Sequence, residues 1–212
     1  MVVSTSGTRL KILNILLKKG EASVGQLSSD LDLASATVRR HLDVLLRDRL
    51  VDFRQVRKRL GRPEYAYALT EQGQELLPKH YQDLLSDLLV EMSALTSQDV
   101  NGKGGKELLE ILFVRMADKA AEPHADQELE ARVEALRETL EQRDFIPQVE
   151  SHGNTVRIEL HNCPYRSVAQ SLEAVCQFDK SLISNILNSP VERERCIRDG
   201  DRSCCYVATV AE

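Results

Sequence analysis

The chain of 212 residues is long enough for one large or two small domains, and with 42% hydrophobic residues and no Trp its cores must be mainly aliphatic. No apolar run approaches the roughly 18 residues of a membrane span, and the N-terminus lacks the long apolar stretch of a signal peptide. Composition therefore argues against membrane and secreted proteins and predicts a cytoplasmic one. The net charge of −5 is uneven, because residues 1–75 carry 13 basic and nine acidic side chains whereas the remainder carries 15 and 24. A basic head on an acidic body indicates that only the head meets a polyanion.

Three helical patterns open the chain. TRLKILNILLK at 8–18 places Leu10 and four other aliphatic residues on one helix face, and VGQLSSDL at 24–31 predicts a second, shorter helix. Ser35 fits the N-cap of a third helix, ATVRRHLDVLLRDRL, whose apolar stripe should be buried. The opposite face of this third helix carries polar and basic side chains, which indicates a surface for contact with another molecule.

Two alternating runs, VDFRQV at 51–56 and YAYAL at 65–69, predict strands on either side of a basic turn. Three helices followed by such a hairpin form a winged helix-turn-helix, whose third helix enters the major groove of duplex DNA while the wing lies along the backbone or minor groove. The residues expected to contact DNA are Ser35, Thr37, Arg39 and Arg40 on the helix and Arg57, Lys58, Arg59 and Arg62 at the wing tip. This head resembles the one shared by the ArsR- and DeoR-type regulators.

A helical segment follows the head, and its apolar residues recur at spacings of three, four and seven. These residues are Leu77, Tyr81, Leu84, Leu88 and Leu95, with Pro78 near the start of the pattern. Because duplex sites are usually read by two heads related by symmetry, the row is interpreted as a homodimer seam. Packing against the next helices of the same chain is the alternative.

The last quarter of the chain predicts two strands, a helix and two more strands. PQVES and TVRIELHN alternate around HGN, a helical pattern extends from PYRSVAQ to SNILN, and VERERCIR and SCCYVATV alternate around DGDR. The sequence therefore predicts an α+β fold in three parts. These are a winged helix-turn-helix at 1–75, a helical linker and dimerisation segment at 76–145, and a small antiparallel-sheet domain with all five cysteines at 146–212.

The cysteines fall at or near the predicted ends of these elements. Cys163 ends a strand and precedes Pro164, where the N-terminus of a helix would favour a thiolate. No C-x-x-C or zinc-finger histidine spacing is present, so zinc ribbons and thioredoxin-like dithiols fit poorly, whereas thiolates are natural ligands of an iron–sulfur cluster. A metal-free thiol-redox switch is the alternative. The chain has no nucleotide-binding loop and no familiar acid/base motif, so we expect neither an enzyme nor a small-molecule substrate.

HNCPYRSVAQ, Cys176 after twelve intervening residues, and GDRSC with twenty-seven residues between Cys176 and Cys204 resemble the C-terminal signature of the SufR-type repressors. These are winged-helix regulators of the Suf iron–sulfur cluster-assembly genes, and the resemblance covers head, helical middle and cysteine domain in the same order. It implies a homodimer that binds a [4Fe–4S] cluster through Cys163, Cys176 and Cys204 and represses cluster biogenesis when loaded.

The fourth ligand is left open among Cys205, Cys196, His161 and a small-molecule thiol. Cys205 neighbours Cys204, but consecutive residues of a strand point to opposite faces. Cys196 would need its strand to pair beside the last one.

The spacing of Cys163 and Cys176 sets a geometric condition. An unbroken helix of thirteen residues spans about 20 Å, which is too far for both residues to hold one compact cluster. A shared cluster therefore requires a break between about Leu172 and Gln177, although nothing in SLEAVCQ is a strong helix breaker.

Overall fold

The computed structural model describes residues 7–56, 64–121 and 127–210, and the chain divides into two compact units, Met1–Leu77 and Pro78–Glu212. Both units combine helices with an antiparallel sheet, so the α+β class predicted from the sequence is confirmed. Within the described ranges, no helix is long and apolar enough to cross a membrane. The predicted divisions at residues 75 and 145 stay predictions.

The N-terminal unit consists of three helices, a β-hairpin and a final short helix. Its elements are α1 Gly7–Lys19, β1 Glu21–Ser23, α2 Val24–Leu31, α3 Ser35–Arg47, β2 Val51–Val56, β3 Glu64–Leu69 and α4 Glu71–Glu75. β3 pairs antiparallel with both other strands, in the order β1-β3-β2. This is a winged helix-turn-helix with β2 and β3 as the wing. The predicted wing-tip contacts Arg57, Lys58, Arg59 and Arg62 lie outside the described residues.

Apolar stripes on the three helices form the core of this unit. The helical residues that are at most 1% exposed are Ile12, Leu13 and Leu16 of α1, Leu27 of α2, and Val38, Leu42 and Leu45 of α3. Leu10 was expected on the buried face and is 39% exposed instead. At about 100° per residue, Leu10 lies roughly 90° from the centre of the stripe that the later residues of α1 define.

The turn between α2 and α3 fixes the start of the third helix. α2 begins with a capping box, in which Ser23 Oγ accepts the N–H of Gln26 and the Gln26 side chain accepts the N–H of Ser23. It ends at Asp32 in the left-handed conformation (φ 53°). The predicted N-cap Ser35 is wrong by one residue: Ala34 is the N-cap, and Ser35 Oγ accepts a hydrogen bond from Ser28 Oγ at 3.2 Å instead.

The C-terminal unit packs helices against one face of a four-stranded sheet. Its elements are α5 Tyr81–Ser93, α6 Ser97–Val100, α7 Gly105–Ala120, α8 Leu129–Gln142, β4 Pro147–His152, β5 Thr155–Leu160, α9 Arg166–Ser171, α10 Cys176–Leu187, β6 Val191–Arg195 and β7 Cys204–Thr209. All strand pairs are antiparallel, in the order β4-β5-β7-β6. The strand order along the chain is the one expected from the alternating runs.

Alternation along the strands turns one sheet face into the core of this unit. On this face, the strand residues that are at most 1% exposed are Val156, Ile158 and Leu160 of β5 and Tyr206 and Ala208 of β7. α10 contributes Leu182, Ile183 and Ile186 to the same core and also packs on α7 and α8. α10 is thereby packed against β7.

Of the five residues of the predicted dimer seam, two are buried, and Tyr81, Leu88 and Leu95 are half-buried. Leu77 is 2% exposed and Leu84 is 6% exposed, while Leu88 packs against the core of the C-terminal unit. The seam places Leu77 in the same helical pattern as the later residues, but the chain is not helical between Glu75 and Tyr81, so the helical phase starts anew with α5. The exposed apolar row of α5 is instead Leu85, Leu89 and Met92, which are 57%, 54% and 49% exposed.

Candidate functional site

The exposed face of α3 is the candidate DNA-contact surface. Ser35, Thr37, Arg39 and Arg40 are all exposed and lie in its first two turns, the part of a recognition helix that reaches base edges. Thr37 and Arg40 also line an open depression of about 530 Å³ with Arg9 of α1. The geometry is that of a recognition helix with a basic residue of the first helix beside it.

Sequence reasoning missed Arg9 and an aromatic cluster on the wing. Phe53 and Tyr65 are 48% and 47% exposed, and their rings meet edge to face with centroids 5.0 Å apart. Phe53 is also the register partner of Tyr67, with ring centroids 5.9 Å apart. The alternation of VDFRQV and YAYAL was the signal that could have placed these rings on one face of the wing.

Four of the five cysteines line one cavity in the C-terminal unit. Cys163, Cys176, Cys196 and Cys204 border a space of about 10 Å³, with Asp179 beside them. The volume is close to that of a single water-sized probe. The Sγ atoms of Cys204 and Cys196 are 3.9 Å apart. The structure therefore brings together all three cysteines expected to be ligands and adds Cys196.

The helix between Cys163 and Cys176 is broken, as a shared site requires. α9 ends at Ser171, and Leu172 is extended with φ −136° and ψ 101°. A 3₁₀ turn at Glu173–Val175 then leads into α10, whose first residue is Cys176. The break lies within the segment that the spacing argument identified.

Tertiary contacts hold this break, and no helix-breaking residue is involved. Glu173 Oε1 accepts a hydrogen bond from Arg193 of β6 at 3.2 Å and forms an ion pair with Arg198 at the same distance. Ala174 and Val175 of the 3₁₀ turn are 3% and 1% exposed. The break removes helical hydrogen bonds. Their loss is offset by the burial of Ala174 and Val175 and by the two ion pairs of Glu173.

The loop that carries Cys163 is anchored by side chains. The Asn162 side-chain amide donates to the carbonyl oxygen of Asp144 at 2.6 Å, and its oxygen accepts from Lys79 Nζ at 2.9 Å. Lys79 also donates to the carbonyl oxygen of Cys163 at 3.2 Å. The asparagine of the HNCP stretch therefore holds the cysteine loop in place.

The expected thiolate at the N-terminus of a helix is wrong for Cys163. Pro164 lies in a turn, α9 begins at Arg166, and that helix has only six residues. Burial, together with a smaller contribution from the nearby side chain of Asp179, raises the pKa of the Cys163 thiol to about 12. Desolvation outweighs the short helix dipole because the charged form loses its hydration inside the protein.

Cys196 accepts hydrogen bonds from two other thiols in the cavity. The thiols of Cys176 and Cys204 both donate to its sulfur, which lowers the pKa of Cys196 below its usual value. The same hydrogen bonds, together with burial, raise the pKa of Cys176 and Cys204. Burial also raises the pKa of Asp179 to about 8, and its Oδ1 has no hydrogen-bond partner among the described residues.

Cys205 and His161, two of the candidates for a fourth ligand, are not among the residues found lining the cavity. Cys205 is fully buried on the other face of β7, where its thiol donates to Glu194 Oε2 at 3.7 Å. His161 is 6% exposed, and its backbone N–H donates to the carbonyl oxygen of Ile146. Of the protein candidates left open by the sequence, only Cys196 lies with the other three cysteines.

The four cysteines surround a space and do not converge on one point. In the described part of the chain, no group of three or more His, Cys, Asp or Glu is placed to hold a single metal ion. Ligands arranged around a space suit a cluster of several irons, each bound by its own thiolate. Since the cavity measures about 10 Å³, the thiols must move apart to admit one. All four lie in loops or at the first residue of an element, where the chain can shift with little loss of regular structure.

Comparison with known proteins bears on the N-terminal unit. The family described as "Bacterial regulatory protein, arsR family" matches residues 6–52, which extend from the first helix to the beginning of the wing. No curated protein matches the chain. Among solved structures, it is similar to Bacillus subtilis PadR in complex with operator DNA, with 17% identity, coverage of 84% of this chain and 95% of that chain, and a TM-score of 0.31. A likeness at that score carries no argument.

The helices of residues 7–47, the paired wing strands and the arsR match define the class of protein. It is a DNA-binding transcriptional regulator with a winged helix-turn-helix at its N-terminus. The arsR match covers residues 6–52 only, so it does not reach the cysteine cavity of the C-terminal unit.

Proposed function

We propose that this protein is an iron–sulfur-sensing transcriptional repressor of Suf cluster-assembly genes, acting in the cytoplasm as a homodimer. The observation that carries the proposal is the meeting of Cys163, Cys176, Cys196 and Cys204 around one cavity in a DNA-binding regulator. The SufR-like spacing of Cys163, Cys176 and Cys204 supports the same function.

Cys163, Cys176 and Cys204 would hold a [4Fe–4S] cluster, because thiolates are its usual protein ligands. When bound, the cluster supplies a centre sensitive to oxidants and to iron supply. The thiols must lose their protons to become ligands. Burial raises the pKa of Cys163, and hydrogen bonding to Cys196 together with burial raises the pKa of Cys176 and Cys204. Metal loading is therefore expected to release protons and to be favoured by higher pH.

α10 is the element that can relay the state of the cysteine cavity through the C-terminal unit. Its first residue is Cys176, and it packs on α7. α7 packs in turn on α5, whose exposed row Leu85, Leu89 and Met92 is the proposed contact with a second copy of the chain. Loading changes operator affinity in this scheme only if the two forms of the dimer bind DNA differently.

Anaerobic purification of the full-length protein tests the proposal directly. The expected result is a brown protein with about four irons and four sulfides per protomer. The loaded protein should bind a duplex that it has itself selected from a random-sequence pool, and it should release that duplex when oxygen destroys the chromophore. A colourless protein with no iron that binds the duplex equally well in air and under anaerobic conditions would contradict it.

A metal-free thiol-redox regulator is the second candidate, and the contact between Cys196 and Cys204 favours it. Their Sγ atoms are 3.9 Å apart, so a small movement would permit a disulfide. Hydrogen peroxide would accept the two electrons and two protons that the thiols give up and would be reduced to water. Iron-free protein that releases DNA on oxidation and rebinds it after treatment with a dithiol would support this function over the cluster.

A further inference from the structure

We infer that Cys196 supplies the fourth thiolate of the proposed metal centre, an inference that rests on the proposed function. Cys196 is 2% exposed and borders the same cavity as Cys163, Cys176 and Cys204. Its sulfur accepts a hydrogen bond from the Cys204 thiol, with the two Sγ atoms 3.9 Å apart. Cys196 therefore lies in the cavity in direct contact with one of the expected ligands.

A β-bulge brings Cys196 beside Cys204. β6 and β7 are paired so that Arg193 lies opposite Tyr206 and Arg195 lies opposite Cys205, which leaves Glu194 as an extra residue on β6. Bulges of this kind bend a strand and redirect the side chains that follow. Because the extra residue shifts the register by one, the residue after Arg195 runs alongside Cys204.

The backbone of Cys196 is fixed on both sides of its side chain. Its N–H donates to Asp201 Oδ2 at 2.9 Å. Its carbonyl oxygen accepts the N–H of Asp199 at 2.9 Å and that of Asp201 at 3.3 Å. These hydrogen bonds close a tight turn from Cys196 to Asp201. Gly200 permits the turn because it adopts φ 94°, in the left-handed region. The Gly-Asp-x-x-Cys stretch that ends at Cys204 thus also positions Cys196.

The geometry distinguishes Cys196 from the other candidates for the fourth ligand, Cys205 and Asp179. Cys205 is on the opposite face of β7, where it contacts Glu194. Asp179 is the stronger rival, because it is 4% exposed, borders the cavity and has Oδ1 without a hydrogen-bond partner in the described part of the chain. Cys196 is favoured because its sulfur already contacts Cys204 Sγ at 3.9 Å and because iron–sulfur clusters prefer thiolates to carboxylates.

Three single substitutions in the full-length, anaerobically purified protein test the assignment. Cys196→Ser removes the inferred ligand, Cys205→Ser removes a neighbouring buried thiol outside the cavity, and Asp179→Asn alters the rival. The measurements are iron and sulfide per protomer, the visible spectrum, and the rate of iron release to a ferrous chelator. Cys205→Ser should match the unaltered protein, whereas Cys196→Ser should hold less than half as much iron and release it about tenfold faster or more.

Rescue by an added thiol distinguishes a lost ligand from a damaged fold. With 2-mercaptoethanol present during loading, Cys196→Ser should regain most of its iron, because the small thiolate can occupy the vacated position. The inference is overturned if Cys196→Ser retains iron and a release rate equal to those of Cys205→Ser. It is also overturned if Asp179→Asn loses the cluster while Cys196→Ser keeps it. A third contrary result is a Cys196→Ser protein whose iron content is not restored by the added thiol and whose metal-free form has a melting temperature well below that of metal-free Cys205→Ser. That combination would show that the substitution damages the fold.

The iron content of the unaltered protein tests the proposed function separately from the assignment of Cys196. If it contains no iron, the proposed function fails, and the assignment of Cys196 fails with it. If it contains a full cluster and Cys196→Ser behaves as described for a lost ligand, both stand. A full cluster that persists in Cys196→Ser leaves the proposed function intact and removes only the inference about Cys196.

Discussion

The Asp201 carboxylate accepts a hydrogen bond from the backbone N–H of Cys196 at 2.9 Å. The Asp201 backbone N–H donates in return to the Cys196 carbonyl oxygen at 3.3 Å. Asp201 is exposed whereas Cys196 is 2% exposed. A surface carboxylate thus sets the orientation of a buried thiol five residues earlier in the chain, in a turn that links β6 to β7.

Asp201→Ala should loosen this turn. The expected loss in the free energy of unfolding is about 1 kcal/mol, below the usual range for a hydrogen bond to a charged group because the carboxylate is exposed. Urea unfolding of the metal-free protein, followed by circular dichroism, measures it. Asp199→Ala is the matched control, since the Asp199 side chain is exposed and only its backbone contacts Cys196. Equal stability of the two variants would show that the Asp201 side chain does not hold Cys196.

Arg40→Ala should weaken operator binding without changing metal content. Arg40 is exposed in the second turn of α3 and lines the depression shared with Arg9 and Thr37. Loss of a base contact typically costs about 1–3 kcal/mol and relaxes specificity at one position, whereas loss of a phosphate contact lowers the salt slope by about one. Fluorescence anisotropy with the selected duplex at several salt concentrations distinguishes the two.

Arg47→Ala provides the control for that experiment. Arg47 carries the same charge on the same helix but lies at its C-terminal end, where it pairs with Asp48. The Arg47 variant should retain an affinity within a few-fold of the unaltered protein. If both substitutions weaken binding equally, the effect is one of net charge, and Arg40 has no specific contact.

Patterns with a local physical cause predicted most of the fold. The strand alternation at 147–160 gives the β4–β5 hairpin because side chains on a strand alternate between faces. The helix stripe through Val38, Leu42 and Leu45 lies in the core because those positions share one side of α3. In both cases the pattern depends only on neighbours in the chain, so one sequence is enough to recognise it.

Features with a tertiary cause could not be predicted in the same way. Leu172 leaves the helical conformation because Glu173 pairs with arginines on β6 and in the turn after it. The bulge at Glu194 depends on how β6 meets β7, and nothing in VERER marks it. The spacing of Cys163 and Cys176 was therefore enough to predict a helix break as the condition for a shared cluster. The position of Cys196 beside Cys204 could not be predicted, because it depends on the bulge.

Leu89→Glu should convert the proposed dimer into a monomer. Leu89 is 54% exposed at the centre of the row formed with Leu85 and Met92. A charge there would face the same apolar row of the partner and would have to be desolvated, which is costly. Sedimentation velocity should give the 23.9 kDa of one chain for the variant and twice that mass for the unaltered protein.

Val90→Glu is the matched control because Val90 is 55% exposed on α5 and lies about 100° around the helix from Leu89. It adds the same charge to the same helix away from the row, and it should leave the mass unchanged. A Leu89→Glu protein that sediments as the dimer would remove this row from the interface. Both substituted positions are exposed, so neither change should lower the melting temperature by more than a few degrees.

His80 should make the stability of the C-terminal unit depend on pH. Its Nδ1 lies 2.8 Å from Asp83 Oδ2 and its Nε2 lies 2.9 Å from Asp144 Oδ2, and the hydrogen bonds to Asp83 and Asp144 raise the pKa of His80 above 6.5. A raised pKa in the folded state means that the stabilisation is fully present below about pH 6.5 and is lost as pH rises through the folded value. We expect at most about 1 kcal/mol, because Asp83 is 71% exposed and Asp144 is 41% exposed.

Urea unfolding of the metal-free protein as a function of pH measures this contribution. The free energy of unfolding of the unaltered protein should exceed that of His80→Gln at pH 6, and the two should converge at alkaline pH. His152→Gln, at an exposed position at the end of β4, should follow the unaltered protein throughout. A difference that grows with rising pH would reverse the sign and would mean that neutral His80 is the form the fold stabilises.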